Sequence, residues 1–188
     1  MTHLFSSSSL LRLAALALAA APLLASCKKD DTDAQNAALQ EQAIAAYRAT
    51  RAADSLTIIK YVADSSFKNV ERRASGVVVV HKVPVATTVP LAQPGQSLTT
   101  YYKGYTIPAN KLFDASATDA TTGLRKPFSF TLRVDQVISG WHEGFASLRK
   151  GEKAILLIPS YQAYGPNGYG PIPSNAPLRF DVELADVK

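Results

Sequence analysis

Two segments near the C terminus alternate apolar and polar residues with a period of two, a pattern that a β-strand converts into one apolar face. The segment 178–184 has apolar residues at its even positions and charged residues between them, and 128–133 alternates in the same way. Successive side chains of a strand point to opposite faces of a sheet, so both segments are predicted to be strands of an antiparallel sheet that covers a core. Continuous apolar or Thr/Tyr-rich runs predict three further strands, at 77–80, 97–106 and 154–158.

One amphipathic helix is predicted between these strands. Ser139 is expected to cap its N terminus, and Trp141, Phe145 and Leu148 lie at positions i, i+4 and i+7. Gly151 follows a basic last turn and is expected to end the helix. About five strands and one helix predict an α+β domain that spans residues 74–188.

The first 26 residues have the composition of a secretory signal peptide rather than of a folded element. The run 10–25 contains only Leu, Ala, Pro and Arg12, and it is shorter than the roughly 20 apolar residues that a membrane-spanning helix needs. It ends in small residues before Cys27, which resembles the lipobox of bacterial lipoproteins. We therefore expect Cys27 to be acylated and to anchor the protein to a membrane of the bacterial cell envelope, in particular the outer membrane, facing the periplasm or the cell surface. The alternative is an ordinary signal peptide followed by an unmodified cysteine.

Residues 27–73 are predicted to be a lipidated linker with two helical segments. The charged residues 28–31 are either an export signal or a solvated linker, and 33–50 is either a marginal helix or a spacer because it has few apolar anchors. A second helix is expected to begin with Asp54 and Ser55 as caps and to end at 64–66. Its apolar stripe would consist of Leu56, Ile59 and Val62. Such a segment could pack on the domain or dimerise.

The composition excludes most cofactor and nucleophile chemistry. One cysteine cannot form an internal disulfide framework or a cysteine zinc site, and three scattered histidines make no metal-ligand cluster. The sequence contains no phosphate-binding loop, no G-x-S-x-G and no H-E-x-x-H. The net charge of +5 is not concentrated in a nucleic-acid motif. We predict no metal, no cofactor and no nucleic-acid partner.

An ordered series of short motifs along residues 74–188 resembles the FKBP-type peptidyl-prolyl cis-trans isomerases. The motifs are Tyr102-Lys103-Gly104, Leu112-Phe113-Asp114, Val137-Ile138-Ser139-Gly140-Trp141, Ala163-Tyr164-Gly165 and Phe180-Asp181-Val182-Glu183-Leu184. Each motif alone is weak, but the set in this order is specific. The resemblance implies a half-wrapped antiparallel β-sheet around one short α-helix, preceded here by an N-terminal helical tether. It also implies an enzyme that catalyses rotation about X-Pro bonds.

The resemblance further implies an apolar pocket between the sheet and the helix that takes the proline ring. Trp141 would be its floor. Its walls would be Tyr102, Phe113, Phe128, Val137, Ile138, Ile172 and Phe180. The backbone N–H of Ile138 and the hydroxyl of Tyr164 would donate to carbonyls of the bound peptide, and Asp114 would be a polar contact at the rim.

Two loops around this pocket depart from the shortest members of the family. The loop 115–125 is longer and rich in Thr and Ala, and the flap 165–173 carries Tyr169 and Pro171. Both bear on the peptide preference and on the affinity for macrocyclic inhibitors such as rapamycin.

Proline isomerisation suits a pocket without a nucleophile or a metal. Rotation about a peptide C–N bond costs about 18–20 kcal/mol because resonance is lost, and a catalyst only has to hold the twisted amide more tightly than the planar one. The predicted partners are proline-containing polypeptides that fold in the envelope or are secreted. The alternative is a chaperone-like or adaptor module with the same fold and little turnover.

Overall fold

The computed structural model of the protein describes residues 29–188. The predicted signal peptide and Cys27 lie outside the described residues. No helix in the described range is long and apolar enough to cross a membrane. Residues 40–188 form one compact unit. The described residues before that unit, 29–39, are helical.

The described chain contains two α-helices and one seven-stranded sheet. The helices are α1, Lys29–Asp64, and α2, Ser139–Phe145. The strands are β1 Val70–Arg72, β2 Val78–Val83, β3 Ser97–Thr106, β4 Leu112–Ala115, β5 Phe128–Thr131, β6 Lys153–Ile158 and β7 Leu178–Val187. Their order is β1-β2-β6-β7-β3-β4, with β5 also paired to β3. All pairs are antiparallel, which confirms the predicted α+β architecture.

All five predicted strands are present, as β2, β3, β5, β6 and β7. The sequence analysis missed β1 and β4. Unlike the run 128–133 that contains β5, these two segments show no alternation of apolar and polar residues. Each pairs with one neighbour at an end of the main strand order. Because β1 begins at Val70, the sheet starts before the boundary expected at residue 74.

Helix α2 is shorter than predicted. Its N-cap position is occupied by Ile138 rather than Ser139, no side chain caps it, and it ends at Phe145. Leu148 is fully buried, but it lies in the turn that follows. Gly140 and Gly144 let α2 approach β6 closely, since a Cβ atom at Gly140 would lie 2.2 Å from a methyl carbon of Ile158.

The expectation of two helical segments before the domain is wrong. Helix α1 runs without a break through Asp54, which is buried and does not cap a helix. The expected apolar stripe is also wrong: Leu56 is 68% exposed, and Ile59 is exposed as well, whereas Ile58 and Tyr61 are buried. The contacts of Ile58 and Tyr61 with the sheet, rather than the spacing of the apolar residues, determine which face of α1 packs.

The sheet has a separate apolar cluster on each face. The larger cluster fills the space between the sheet and α2 and includes Trp141, Phe145 and Phe180. The smaller cluster joins Ile58 and Tyr61 of α1 to side chains of β2 and β6 on the opposite face. The C-terminal half of α1 is therefore an integral part of the compact unit 40–188.

Candidate active site

A pocket of about 450 Å³ opens between the sheet and the N terminus of α2. Its walls come from β3, β4, β5, β7, the segment before α2 and Tyr164, which directly precedes the flap. The lining residues are Tyr102, Phe113, Asp114, Phe128, Gln136, Val137, Ile138, Trp141, Tyr164 and Phe180. The fold thus brings together, in one pocket, residues that lie up to 78 positions apart in the chain.

Trp141 lies in the first turn of α2, and its indole is 5% exposed. Three lining rings meet the indole edge to face. The centroid distances are 5.1 Å for Tyr102, 5.7 Å for Phe128 and 5.4 Å for Phe180. Such edge-to-face pairs are favourable because a positive ring edge meets a negative ring face. The rings therefore fix the orientation of the indole without covering the pocket.

The indole N–H of Trp141 is buried, and it has no hydrogen bond acceptor among residues 29–188. An unsatisfied buried donor is costly and rare in folded proteins. A ligand group that brought an acceptor to this N–H would remove that cost.

Gly104 allows the rings of β4 and β7 to converge. It lies opposite Asp114 of β4 and Phe180 of β7. A Cβ atom at Gly104 would lie 2.6 Å from the ring of Phe113 and 2.9 Å from that of Phe180. The two rings meet at 88° with their centroids 5.6 Å apart. The absence of a side chain at Gly104 thus provides the space for this wall.

Asp114 is held at the rim by two hydrogen bonds. The hydroxyl of Tyr102 donates to Asp114 Oδ2 at 2.8 Å, and the N–H of Ala115 donates to Oδ1 at 2.9 Å. Burial raises the pKa of Tyr102 well above its usual value, and the neighbouring Asp114 raises it further. Tyr102 therefore stays a neutral donor at physiological pH, and Asp114 is fixed in orientation.

Tyr164 lines the pocket from the position directly before the flap. Its ring stacks on Tyr169, with centroids 5.2 Å apart and planes 14° apart. Burial raises the pKa of Tyr164, and Asp114 and Tyr169 add to this shift. Its hydroxyl makes no hydrogen bond with the described part of the chain, so it is free to donate to a ligand. Tyr169 is 69% exposed and extends the aromatic surface outwards.

The backbone N–H of Ile138 is a second free donor. Ile138 is extended, with φ −58° and ψ 143°, and directly precedes α2. Its carbonyl accepts the N–H of Trp141 at 2.9 Å. Within residues 29–188 its own N–H has no acceptor. The start of α2 therefore contributes both the floor of the pocket and a donor beside it.

Nine of the ten residues that the sequence analysis expected in the pocket line it, and Ile172 does not. Ile172 is buried in the larger apolar cluster, and its backbone pairs with Tyr169 through hydrogen bonds of 2.9 and 3.0 Å. Ile172 thus anchors the flap, to which it belongs, in the larger apolar cluster. Gln136 lines the pocket but was missed, because a polar residue in a loop carries no apolar signal.

The arrangement can bind a compact apolar group and orient carbonyls beside it. The lining combines five aromatic rings other than that of Tyr164 with one fixed carboxylate and with the donors of Tyr164 and Ile138. No group of three or more metal-ligating side chains occurs in the described residues. The chemistry that this geometry offers is binding and orientation rather than nucleophilic attack.

Comparison with known proteins gives consistent matches. Residues 90–185 match the family model for FKBP-type peptidyl-prolyl cis-trans isomerases. A curated relative, the peptidyl-prolyl cis-trans isomerase FPR2 of Saccharomyces cerevisiae, is 40% identical over 111 residues, which cover 58% of this chain and 78% of the relative.

Two solved structures also resemble the chain. A peptidyl-prolyl cis-trans isomerase from Pseudomonas syringae has a TM-score of 0.60 and 30% identity, and the match covers 75% of this chain and 95% of that one. FkpA from Escherichia coli has a TM-score of 0.58 and 32% identity, with 85% of this chain and 71% of that one covered.

Proposed function

The chain belongs to the FKBP-type peptidyl-prolyl cis-trans isomerases and is an enzyme of that kind, and we propose that it binds the proline ring of its substrate against Trp141 in the aromatic pocket. The observation that carries this proposal is the position of Trp141 beneath the pocket, held by three rings at right angles to it. A prolyl ring is compact and apolar, so its transfer from water onto this surface is favourable.

The proposed mechanism is the preferential binding of the twisted amide. The planar amide has more charge separation than the twisted one, so a dry aromatic environment disfavours the planar form more. The N–H of Ile138 and the hydroxyl of Tyr164 would donate to carbonyls on either side of the bond and hold them while the bond rotates. Each 1.36 kcal/mol of preference for the twisted state accelerates rotation about tenfold.

Asp114 and Tyr102 have an orienting role in this mechanism. Their hydrogen bond fixes one side of the rim, where a second backbone group of the peptide would pass. Asp114 is not a general acid in this scheme, because rotation about the C–N bond requires no proton transfer.

We extend the proposal to macrocyclic inhibitors of the family. The same pocket would take the proline-like ring of FK506 or rapamycin. The exposed ring of Tyr169 would contact the part of the macrocycle that lies outside the pocket. Competition between such an inhibitor and an X-Pro peptide tests this extension.

We propose further that the enzyme is anchored in a bacterial cell envelope by acylation of Cys27 and acts on envelope or secreted proteins. The apolar run 10–25 followed by small residues and Cys27 supports this. Metabolic labelling with a tagged fatty acid should mark the wild-type chain and leave the Cys27→Ser variant unlabelled. Labelling of both chains, or of neither, would contradict the anchor.

The catalytic proposal is tested with a refolding protein whose slow phase is limited by proline isomerisation. The full-length chain in detergent should accelerate that phase, and Trp141→Leu should abolish most of the acceleration. A binding module with little turnover, the alternative left open by the sequence, would suppress aggregation but leave the slow phase unchanged. Equal acceleration by the wild type and by the Trp141→Leu variant would refute the role of the pocket.

A further inference from the structure

The turn that leads into Tyr164 is hydrogen bonded to the N-terminal helix α1 and packs against it. This turn is a 3-10 helix at Ser160–Gln162, followed directly by Ala163 and Tyr164. Asp54 of α1 is 3% exposed, and it accepts hydrogen bonds from both the backbone N–H and the hydroxyl of Ser160, each at 2.7 Å. One carboxylate oxygen, Oδ2, thus anchors the first residue of the turn by two bonds.

The next residue of the turn is held from the same helix. Tyr161 packs edge to face on Tyr47, with centroids 5.8 Å apart, and the guanidinium of Arg51 lies 4.9 Å from the centre of its ring. The hydroxyl of Tyr161 donates to the carbonyl of Ser75 at 3.1 Å. Tyr47, Arg51 and Asp54 are spaced i, i+4 and i+7, so one face of α1 makes all these contacts.

Only three residues separate Ser160 from Tyr164, and backbone hydrogen bonds hold them in place. The N–H of Gln162 donates to the carbonyl of Pro159, and that of Ala163 donates to the carbonyl of Ser160, both at 2.9 Å. Tyr164 follows as the N-cap of a second 3-10 turn, Gly165–Asn167. A displacement of Ser160 would therefore move the backbone that carries the ring of Tyr164.

We propose that Asp54 is a positioning residue for the isomerase reaction, and that α1 sets the place of the Tyr164 hydroxyl by holding the Ser160–Gln162 turn. This inference rests on the proposed function of Tyr164 as a donor to the bound peptide. It assigns α1 a part in positioning a catalytic group, beyond the tether that the sequence analysis expected.

A stabilising role alone does not account for a carboxylate at this position. Burying a carboxylate is costly unless it is fully hydrogen bonded, and an apolar side chain of similar size often gives more stability. One turn further along α1, Ile58 makes a fully apolar contact with the sheet. The hydrogen bonds of Asp54 are directional and hold Ser160 at a defined place, which an apolar contact would not do.

The test compares two matched substitutions on the same helix. Asp54→Asn and Asp64→Asn each remove one carboxylate from α1, but Asp64 is exposed and pairs only with Lys60. With the full-length chain, Asp54→Asn should lower kcat/KM about fivefold through kcat, within the loss that a misplaced catalytic group can cause. Asp64→Asn should leave it unchanged. The NMR signals of the Tyr164 ring should shift only in Asp54→Asn.

A double-mutant cycle with Tyr164→Phe tests whether Asp54 affects the activity through the Tyr164 hydroxyl. If Asp54 acts through the Tyr164 hydroxyl, Asp54→Asn should cost almost nothing further in the Tyr164→Phe background. Additive losses, or no loss from Asp54→Asn alone, would overturn the inference while leaving the role of Tyr164 intact. If Tyr164→Phe itself has full activity, the proposed donor role fails, and the positioning role fails with it.

A second variant covers the case in which Asp54→Asn does not fold. Ser160→Ala removes one of the two donors but keeps the backbone N–H to Asp54. It should lower kcat relative to the wild type, and an unchanged kcat would overturn the inference. All activities are compared at a temperature at which circular dichroism shows each variant to be folded.

Discussion

Replacing Tyr164 with phenylalanine removes one donor from the pocket and nothing else. The ring stays, and with it the stacking on Tyr169 at 5.2 Å. The hydroxyl has no partner in the described residues, so its loss leaves no protein group unsatisfied. The free energy of unfolding should therefore change by less than about 0.5 kcal/mol.

The loss in kcat/KM should correspond to the free energy of one hydrogen bond to the bound peptide. A neutral hydrogen bond contributes about 0.5–1.5 kcal/mol net, which corresponds to a roughly two- to twelvefold loss in kcat/KM. If the bond forms equally in the ground and transition states, the loss appears in KM; if it strengthens as the amide twists, it appears in kcat. We expect the loss in kcat.

The assay is the catalysed cis-trans exchange of a short X-Pro peptide, measured with the full-length chain by exchange NMR. Tyr61→Phe is a matched control, because it also removes one tyrosine hydroxyl, but one that donates to Asn110 in the smaller apolar cluster on the other face of the sheet. That control should lose stability and keep most of its activity. Full activity in Tyr164→Phe, or a loss of stability as large as that of the control, would refute the reasoning.

Three further predictions concern the floor, the wall and the buried acid. Trp141→Leu removes a buried ring, so it should lower kcat/KM more than tenfold and the free energy of unfolding by about 2 kcal/mol or more. Refolding assays measure the activity and urea titrations the stability. Unchanged activity would contradict the role of Trp141 as the floor of the pocket. Gly104→Ala should impair X-Pro peptide binding in fluorescence titrations, because its Cβ would displace the rings of Phe113 and Phe180. Unchanged binding would contradict the claim that these two rings form a wall of the binding pocket. Burial raises the pKa of Asp54 above its usual value, against hydrogen bonds from Ser160 that lower it, so Asp54 is protonated more readily in the folded than in the unfolded state. The wild type should lose stability relative to Asp54→Asn as pH rises from 3.8 through the raised pKa; urea midpoints across that range test the sign, and the opposite trend would contradict it.

Strand prediction succeeded where the alternation was long enough to indicate one buried face. In β7 the apolar side chains of Leu178, Phe180, Val182 and Leu184 are buried. β1 and β4 have three and four residues. They pair with their sequence neighbours β2 and β3, whose partner residues lie only six to twelve positions away. Segments of three or four residues are too short for local propensity to indicate a strand, so their conformation follows from that pairing.

The N-terminal helix shows how tertiary contacts override local signals. Asp54 and Ser55 have the composition of a helix start, but the carboxylate of Asp54 is used by Ser160, which is 106 positions away. The backbone then continues as a helix through both residues. A capping residue in a sequence indicates a helix start only if no distant donor engages it.

The pocket was predictable as a set because its residues come in short motifs whose order matches one family. Sequence could not separate lining residues from supporting ones. Ile172 and Phe180 are both buried apolar residues, but only Phe180 reaches the pocket. The sequence also could not show that the Tyr164 hydroxyl and the Ile138 N–H lack hydrogen bond acceptors, because that depends on which groups surround them in the fold.

The chain contains a single tryptophan, so the indole N–H resonance of Trp141 reports on the pocket without ambiguity. The most direct measurement is a titration of the full-length chain with a short X-Pro peptide while this resonance is followed by NMR. The account predicts a saturable shift with the proline peptide and none with the same peptide carrying alanine in place of proline. An indole resonance that stays unmoved while the peptide is being isomerised would show that the proline ring binds elsewhere.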